Sequence, residues 1–330
     1  MKVTYAQAIG DALKEEMRRD ENVFIFGEDV AEFGNMFGVT RGMLEEFGKE
    51  RVRNTPVTET AMVGCALGSA VTGLRPVLEI MYSDFTLAAF VEIFHSVAKW
   101  RFLHGPEYKL PLVIRSASGC SNGAGAEHSN VVESLFMHAP GLTIITPSDP
   151  YDAKGLLKSA IRSDNPVFFC EPKLLYQTKQ EIDDEEYNSD YLIPIGKASV
   201  KRKGKDVTLI ATGLMVPRAL KAAEILAGEG IDVEVIDPRT IAPLDTETIY
   251  DSIRKTHRVA IVEEGQKTSG VGAEYAARFQ EELYDELDGP IARIASLDSP
   301  IPYNINLEKY VIPDEKRICE KIRAMMDGSF

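Results

Sequence analysis

The stretch "DVTLIATGLMVPRALKAAEILAGEGIDVEVID", residues 206–237, indicates the fold class of this chain most directly. A short apolar run comes first, a helical pattern that stops at glycine follows, and a second β-branched run closes the stretch. Two buried strands joined by a helix are typical of parallel pairing, because parallel strands need a crossover connection. The stretch therefore predicts a βαβ unit of an α/β protein.

The same alternation of buried strand and helix runs through the rest of the chain. Strand patterns in the N-terminal half are "NVFIFGED", "RPVLEIMY", "LPLVIRSA", "LTIITPS" and "NPVFFCEP". The region between the N-terminal half and the C-terminal half, "TKQEIDDEEYNSDY", is acidic and has no periodicity, which is typical of a linker. We therefore expect an α/β protein with two doubly wound domains, at residues 1–176 and 205–330, joined by a linker at 177–204.

The amino-acid composition of the chain disfavours several classes of function. The 330 residues are 44% hydrophobic and 27% charged, with a formal net charge of −14. Such a surface disfavours nucleic acid and anionic membranes as partners. No apolar run reaches the roughly 18 residues of a membrane span, and the N-terminus lacks the apolar region of a signal peptide. The four cysteines, which we expect to be buried free thiols, form no C-x-x-C pair (Cys65, Cys120, Cys170, Cys319). These features predict a cytoplasmic protein.

The common phosphate-binding motifs are missing from the sequence. The glycines of "GLMVPRAL" and "GVGAE" do not complete G-x-G-x-x-G, and no G-x-x-x-x-G-K-[ST] occurs. A Gly-Asp-Gly followed by a downstream asparagine is absent as well. A dinucleotide cofactor is therefore disfavoured, and glycines in turns and helix packing explain these patterns.

Two side chains are the strongest candidates for chemistry. Glu59 follows Pro56 and begins a helix of small residues in "TPVTETAMVGCALGSA". It is either a plain acid of a helix N-terminus or a functional carboxylate placed at a close-packed junction. His128 lies in the glycine-rich loop "GAGAEHSN" and is either a surface histidine or a catalytic group on a loop. The remaining four histidines fit structural roles better.

Several segments together resemble one family, the beta subunits of thiamine-diphosphate-dependent 2-oxo acid dehydrogenases. The matching segments, which cover nearly the whole chain in order, are "TPVTE", "GLRPVLEIMYSDF", "GAGAEHSN", "PGLTIITPSDPYDAKGLLKSAIRSDNPV", "GIDVEVIDPRTIAPLD" and "SLDSPIPY". This family includes the first components of the pyruvate, branched-chain 2-oxo acid and acetoin dehydrogenase complexes. The resemblance implies a pyrimidine-binding domain followed by a transketolase C-terminal-like domain.

The resemblance also implies roles for single residues. Glu59 matches the glutamate that hydrogen-bonds the pyrimidine N1′ of thiamine diphosphate and so activates the cofactor. Phe85 matches the aromatic residue that stacks on the pyrimidine, and Val57 matches a position that lines the same pocket. His128 matches the active-site histidine, with a role in proton transfer or orientation during reductive acylation of lipoamide. Glu127 and Asn130 beside it differ from the glutamines that many relatives carry.

A structural potassium ion is implied by "SAIRSDNPV", through backbone carbonyls and one asparagine side chain. The matching positions are Leu112, Ala160, Ile161, Ser163 and Asn165.

The resemblance also implies partners. Because the Gly-Asp-Gly motif is missing, a separate alpha subunit must supply the diphosphate and magnesium half of a shared site. The family arrangement is an α2β2 assembly that docks on a dihydrolipoyl acyltransferase core and acts on its lipoyl domain.

Three readings follow for function. The first is a beta subunit active in thiamine-diphosphate-dependent decarboxylation, or acetoin cleavage, and in acyl transfer to lipoamide. The second is the C-terminal half of a split transketolase, which would require phosphate-binding side chains. The third is an assembly subunit without turnover, against which the pair of Glu59 and His128 argues. "DVTLIATGLMV" and "IDPRTIAPLD" resemble acetoin-type and pyruvate-type relatives more than branched-chain ones, which implies a pyruvate or acetoin substrate.

Overall fold

The computed structural model describes residues 1–329 as two compact units. The first unit comprises Met1–Ser118 and Leu135–Ile195, and the second comprises Gly119–Ser134 together with the chain from Gly196 onward. The second unit therefore includes a short excursion from the N-terminal half, and this excursion contains the glycine-rich loop of His128.

A parallel sheet forms the centre of the first unit, with strand order β6-β7-β5-β4-β2-β3. The strands of this unit are β1 (Lys2–Thr4), β2 (Val23–Gly27), β3 (Val52–Asn54), β4 (Arg75–Tyr82), β5 (Val113–Ser118), β6 (Thr143–Ile145), β7 (Val167–Pro172) and β8 (Lys179–Glu181). Every residue of β2, β5 and β7 is buried, as expected for parallel strands covered on both faces.

Seven helices accompany this sheet: α1 (Tyr5–Arg19), α2 (Met43–Phe47), α3 (Glu59–Val71), α4 (Trp100–His104), α5 (Glu133–Met137), α6 (Pro150–Arg162) and α7 (Asp184–Asn188). The side chain of Thr4 caps α1 by accepting a hydrogen bond from the Gln7 amide at 3.1 Å. Asp149 caps α6 in the same way, and Pro150 occupies its first turn. Both helix starts match the sequence pattern.

A buried charge network lies inside the sheet of the first unit. Arg115 on β5 donates two hydrogen bonds of 2.8 Å to Glu171 on β7, and it also pairs with Glu79 on β4. Asn35 donates to Glu79 at 2.8 Å, and the Tyr176 hydroxyl donates to Glu171 at 2.7 Å. Burial is the largest influence on the Arg115 pKa and lowers it, but the two carboxylates more than compensate, so the pKa is raised.

The acidic stretch that was predicted as linker contains ordered structure. Strand β8 pairs antiparallel with β1, with Lys2 opposite Glu181. Tyr187 on α7 is buried, its hydroxyl donates to Asp11 at 2.8 Å, and the ammonium group of Lys154 lies 3.9 Å from its ring centroid. Residues up to Ile195 therefore pack on the first unit.

The largely apolar stretch of residues 87–102 does not form one regular α-helix. Ser83–Ala89 forms 3₁₀ turns, Glu92–Val97 widens into π-helical geometry, and α4 follows. Phe102 is 91% exposed, so the apolar side chains of this segment are not all interior.

A five-stranded sheet forms the centre of the second unit, in the order β14-β13-β10-β11-β9. Its strands are β9 (Ser199–Arg202), β10 (Val207–Ala211), β11 (Val233–Asp237), β13 (Val259–Gln266) and β14 (Ala292–Ser296), and a short strand β12 (Thr240–Ala242) lies elsewhere in the unit. All pairs are parallel except β9 with β11. The predicted βαβ unit is confirmed by β10 and β11, with α8 between them.

Five helices belong to the second unit: α8 (Met215–Ala227), α9 (Thr246–Thr256), α10 (Val271–Glu282), α11 (Ile305–Val311) and α12 (Glu315–Asp327). Helix α8 packs against α12, and α9 approaches α10 through an edge-to-face contact of Tyr250 and Phe279, whose ring centroids lie 5.9 Å apart. The predicted α/β class, with a largely parallel sheet in each half, is confirmed.

Within residues 1–329, no helix combines the length and the apolar character that crossing a membrane requires.

Candidate active site

The carboxyl ends of β2, β3 and β4 bring the candidate residues of the first unit to one edge of its sheet. Glu28 follows β2 directly, Glu59 follows the turn after β3, and Phe85 comes three residues after β4. Strand β2 pairs with both β3 and β4, so these segments are neighbours. Ligands of open parallel sheets bind in crevices at this edge.

Glu59 is the first residue of α3. Pro56 stands in the turn that leads from β3, and Thr58 makes no side-chain capping hydrogen bond. The Glu59 carboxylate therefore lies in the first helical turn, where the helix dipole favours a negative charge. The Thr60 hydroxyl donates to the carbonyl oxygen of Ala88 at 2.8 Å, which joins the start of α3 to the segment that carries Phe85.

Glu28 is a second carboxylate at this edge, and sequence reasoning did not select it. Its side chain is 8% exposed, and among residues 1–329 its Oε1 has no hydrogen-bond partner. Burial raises the pKa of Glu28, and the negative charge of Glu59 raises it further. The raised pKa favours the protonated form of Glu28. The acidic end of "NVFIFGED" was the signal in the sequence.

Aromatic rings line the approach to this edge. Phe85 meets Tyr82 edge to face with ring centroids 5.8 Å apart, and Tyr82 meets Phe37 in the same way at 6.3 Å. The ammonium group of Lys173 lies 4.9 Å from the centroid of the Tyr82 ring. The flat rings beside two carboxylates suit a planar heterocycle that carries hydrogen-bonding nitrogens.

One face of the first unit around α3 is open. Val57 is 73% exposed, and a Cβ placed on Gly64 or Gly68 would meet no atom within 4 Å. Cys65 lies between these glycines and is exposed, whereas the other three thiols are buried. The expectation of four buried thiols is therefore wrong for Cys65, because α3 buries only its opposite side.

His128 lies in the second unit, in a loop that several hydrogen bonds define. The amide of Gly119 donates to the Asn130 carbonyl at 3.2 Å, and the Asn130 side chain donates to the Ala126 carbonyl at 2.8 Å. The His128 amide donates to the Gly125 carbonyl at 3.4 Å. His128 itself is partly exposed.

The positions predicted for potassium are partly engaged by arginine side chains. Arg75 donates to the carbonyl oxygens of Ile161 at 2.9 Å and Ser163 at 2.7 Å. The Asn165 side-chain oxygen accepts a hydrogen bond from Arg101. In residues 1–329, no group of three or more His, Cys, Asp or Glu side chains could hold a metal ion. The potassium site at Leu112, Ala160, Ile161, Ser163 and Asn165 stays a prediction.

Comparison with known proteins also divides the chain into two parts, although the excursion Gly119–Ser134 of the second unit falls within the first matched stretch. Residues 1–179 match the family described as transketolase, pyrimidine binding domain, and residues 196–318 match the family described as transketolase, C-terminal domain. Each matched stretch contains one of the two largely parallel sheets described above.

Full-length relatives are also found. The chain is 43% identical to the pyruvate dehydrogenase E1 component subunit beta of Rhizobium meliloti, over 98% of this chain and 70% of that protein. It is also 43% identical to the subunit of the same name in Porphyra purpurea, over 99% and 98% of the two chains. A split gene transketolase in an inactive beta4 tetramer superposes with a TM-score of 0.79 over 97% of each chain, at 24% identity, which shows the shared fold.

Proposed function

We propose that this chain provides the pyrimidine half of a thiamine diphosphate site, because it belongs to the family of beta subunits of the pyruvate dehydrogenase E1 component. An alpha subunit supplies the diphosphate half with its magnesium ion. Together they decarboxylate pyruvate and transfer the acyl group to the lipoyl domain of an acyltransferase core. The reading as a split transketolase is less well supported, since that likeness rests on fold alone.

The observation that carries this proposal is the carboxylate at the start of α3 beside aromatic rings. Glu59 would hold the aminopyrimidine through a hydrogen bond at N1′, Phe85 would pack on the ring, and Val57 would border it. When bound, thiamine diphosphate would supply the electron sink for decarboxylation. The partial exposure of Glu59 and the exposure of Val57 support this proposal, because an alpha subunit that covered this edge would exclude water from it.

Glu28 extends the same chemistry. Burial and the charge of Glu59 raise the pKa of Glu28, so its protonated form is favoured relative to an ordinary carboxyl group. A carboxyl group whose pKa is raised holds a proton more readily than an ordinary one, which suits activation of the pyrimidine amine.

His128 serves a later step in this proposal. An imidazole can act as a general acid, so His128 can give a proton to the lipoyl sulfur as the acyl group transfers and the dithiolane opens. His128→Ala should then lower reductive acylation of the lipoyl domain by roughly 100-fold or more, the scale of one acid–base group. Reduction of an artificial electron acceptor with pyruvate, which bypasses the lipoyl group, should change only slightly.

The two half-reactions are measured on the same reconstituted enzyme. His95→Ala, which removes an exposed histidine on the π-helical segment, is the control. An equal loss of both half-reactions in His128→Ala would show that His128 does not act in acyl transfer.

A further inference from the structure

The loop that carries His128 is anchored by a buried carboxylate from the far end of the chain. Glu308 on α11 is 1% exposed, and its two oxygens accept hydrogen bonds from the amides of Asn122 at 3.0 Å and Gly123 at 2.7 Å. Helix α11 is fixed at its start by Asn304, whose side chain accepts from the amides of Asn306 and Leu307. Glu308 therefore meets the loop from a defined position.

The backbone at this anchor has an unusual shape that suits an anion. Asn122 has φ of 60° and Gly123 has φ of 97°, so both adopt the left-handed region. Successive amides in such turns form a concave, positively polarised site for an anion, and here the Glu308 carboxylate fills it. A neutral glutamine would place an NH₂ group against one of the two N–H donors.

A second contact from the same region fixes the loop closer to His128. A Cβ on Gly125 would lie 2.2 Å from Cε1 of Tyr303, so the tyrosine ring packs directly against the bare glycine backbone. The carbonyl of Gly125 accepts the hydrogen bond from the His128 amide. Cys120, at the start of the loop, donates its amide to Glu264 at 2.7 Å.

We propose that Glu308, through the amides of Asn122 and Gly123, is a positioning residue for His128 in acyl transfer to the lipoyl group. Tyr303 acts with it by fixing Gly125. The inference rests on the proposed function of His128 and deepens it. A small displacement of a positioned group costs rate without loss of fold, because acid–base catalysis depends on hydrogen-bond geometry.

The test is Glu308→Gln in the enzyme reconstituted with its alpha subunit. We expect kcat for acylation of the lipoyl domain to fall by roughly 10- to 100-fold. The KM for pyruvate and the artificial-acceptor activity should stay within about twofold, a split that general destabilisation would not give. Glu234→Gln is the matched control, since Glu234 is also a buried carboxylate of the second unit that accepts a backbone amide, from Gly204.

A double variant shows whether Glu308 works through His128. In the His128→Ala background, Glu308→Gln should add almost no further loss, whereas full additivity of the two effects overturns the proposal. If His128→Ala alone leaves acylation unchanged, the proposed role of His128 is wrong and this inference falls with it. If only Glu308→Gln is without effect, the inference alone is wrong.

Tyr303→Leu keeps the inference testable if Glu308→Gln does not fold. Tyr303 is 65% exposed, so its replacement should leave the fold intact. We expect the same selective loss of lipoyl acylation, and normal acylation by this variant together with an unfolded Glu308→Gln would overturn the proposal.

Discussion

Glu59→Gln should fold and assemble with the alpha subunit, yet turn over pyruvate roughly 100- to 10,000-fold more slowly, the range of a lost acid–base group. Glutamine keeps the size of the side chain and its place in the first turn of α3. Its amide cannot hold and return a proton at the pyrimidine nitrogen, so cofactor activation fails. Steady-state turnover of the reconstituted enzyme, with the melting temperature beside it, measures the effect.

Both half-reactions should fall together in Glu59→Gln, because activation of the cofactor precedes each of them. This pattern differs from that of His128→Ala. Glu50→Gln removes an equal charge from a side chain that is 78% exposed and serves as the control. Near-normal turnover by Glu59→Gln would show that Glu59 has no role in the active site.

The largest loss of stability is expected for Arg115→Met. The guanidinium is 1% exposed and lies between Glu79 and Glu171, which are 8% and 0% exposed in their side chains. Its removal leaves two buried carboxylates without a cation, and breaking a buried pair of this kind costs about 3–5 kcal/mol. Urea denaturation of the purified chain measures the change in the free energy of unfolding.

The pH dependence of this loss has a definite sign. Burial already raises the pKa of Glu79, and Arg115 is the strongest influence that lowers it. Without Arg115 the folded-state pKa rises further above the unfolded value of about 4.3. The stability that Glu79 contributes in the variant is fully present below the unfolded pKa and is lost as pH rises through the folded-state pKa. The difference from the unsubstituted chain should be larger at pH 8 than at pH 5.

Arg18→Met is the matched control for Arg115→Met. Arg18 makes a similar two-point contact with Glu46, but the side chains are 57% and 34% exposed. Water screens such pairs, so this variant should lose little stability. A loss as large as that of Arg115→Met would contradict the role assigned to burial.

Much of the fold could be predicted because its strands are continuous apolar runs. β2, β5, β7, β10 and β11 are read directly from the sequence, and so are the amphipathic helices that follow them. Short elements such as β8 and α7 were not predicted, because β8 depends on pairing with β1 and α7 on burial of Tyr187 rather than on sequence periodicity. The ion pairs of Arg115 could not be predicted, because Arg115 lies within an apolar run and its partners lie on neighbouring strands.

The candidate site could be predicted only where a local motif carries it. Glu59, Phe85 and His128 follow from short segments, but Glu28 becomes notable only through its burial and its nearness to Glu59. Glu308 is separated from Asn122 by 186 residues and meets backbone amides alone. No side-chain pattern records a contact of that kind, so the structure was needed to find it.

The most direct test of the central claim is reconstitution of this chain with its alpha subunit, thiamine diphosphate and magnesium. Reduction of an artificial acceptor would be followed with pyruvate, branched-chain 2-oxo acids and acetoin in turn, for each chain alone and for the mixture. We expect turnover only with both chains, and pyruvate as the best substrate. Turnover by either chain alone, or a stable assembly that converts none of these substrates, would contradict a shared pyruvate dehydrogenase site.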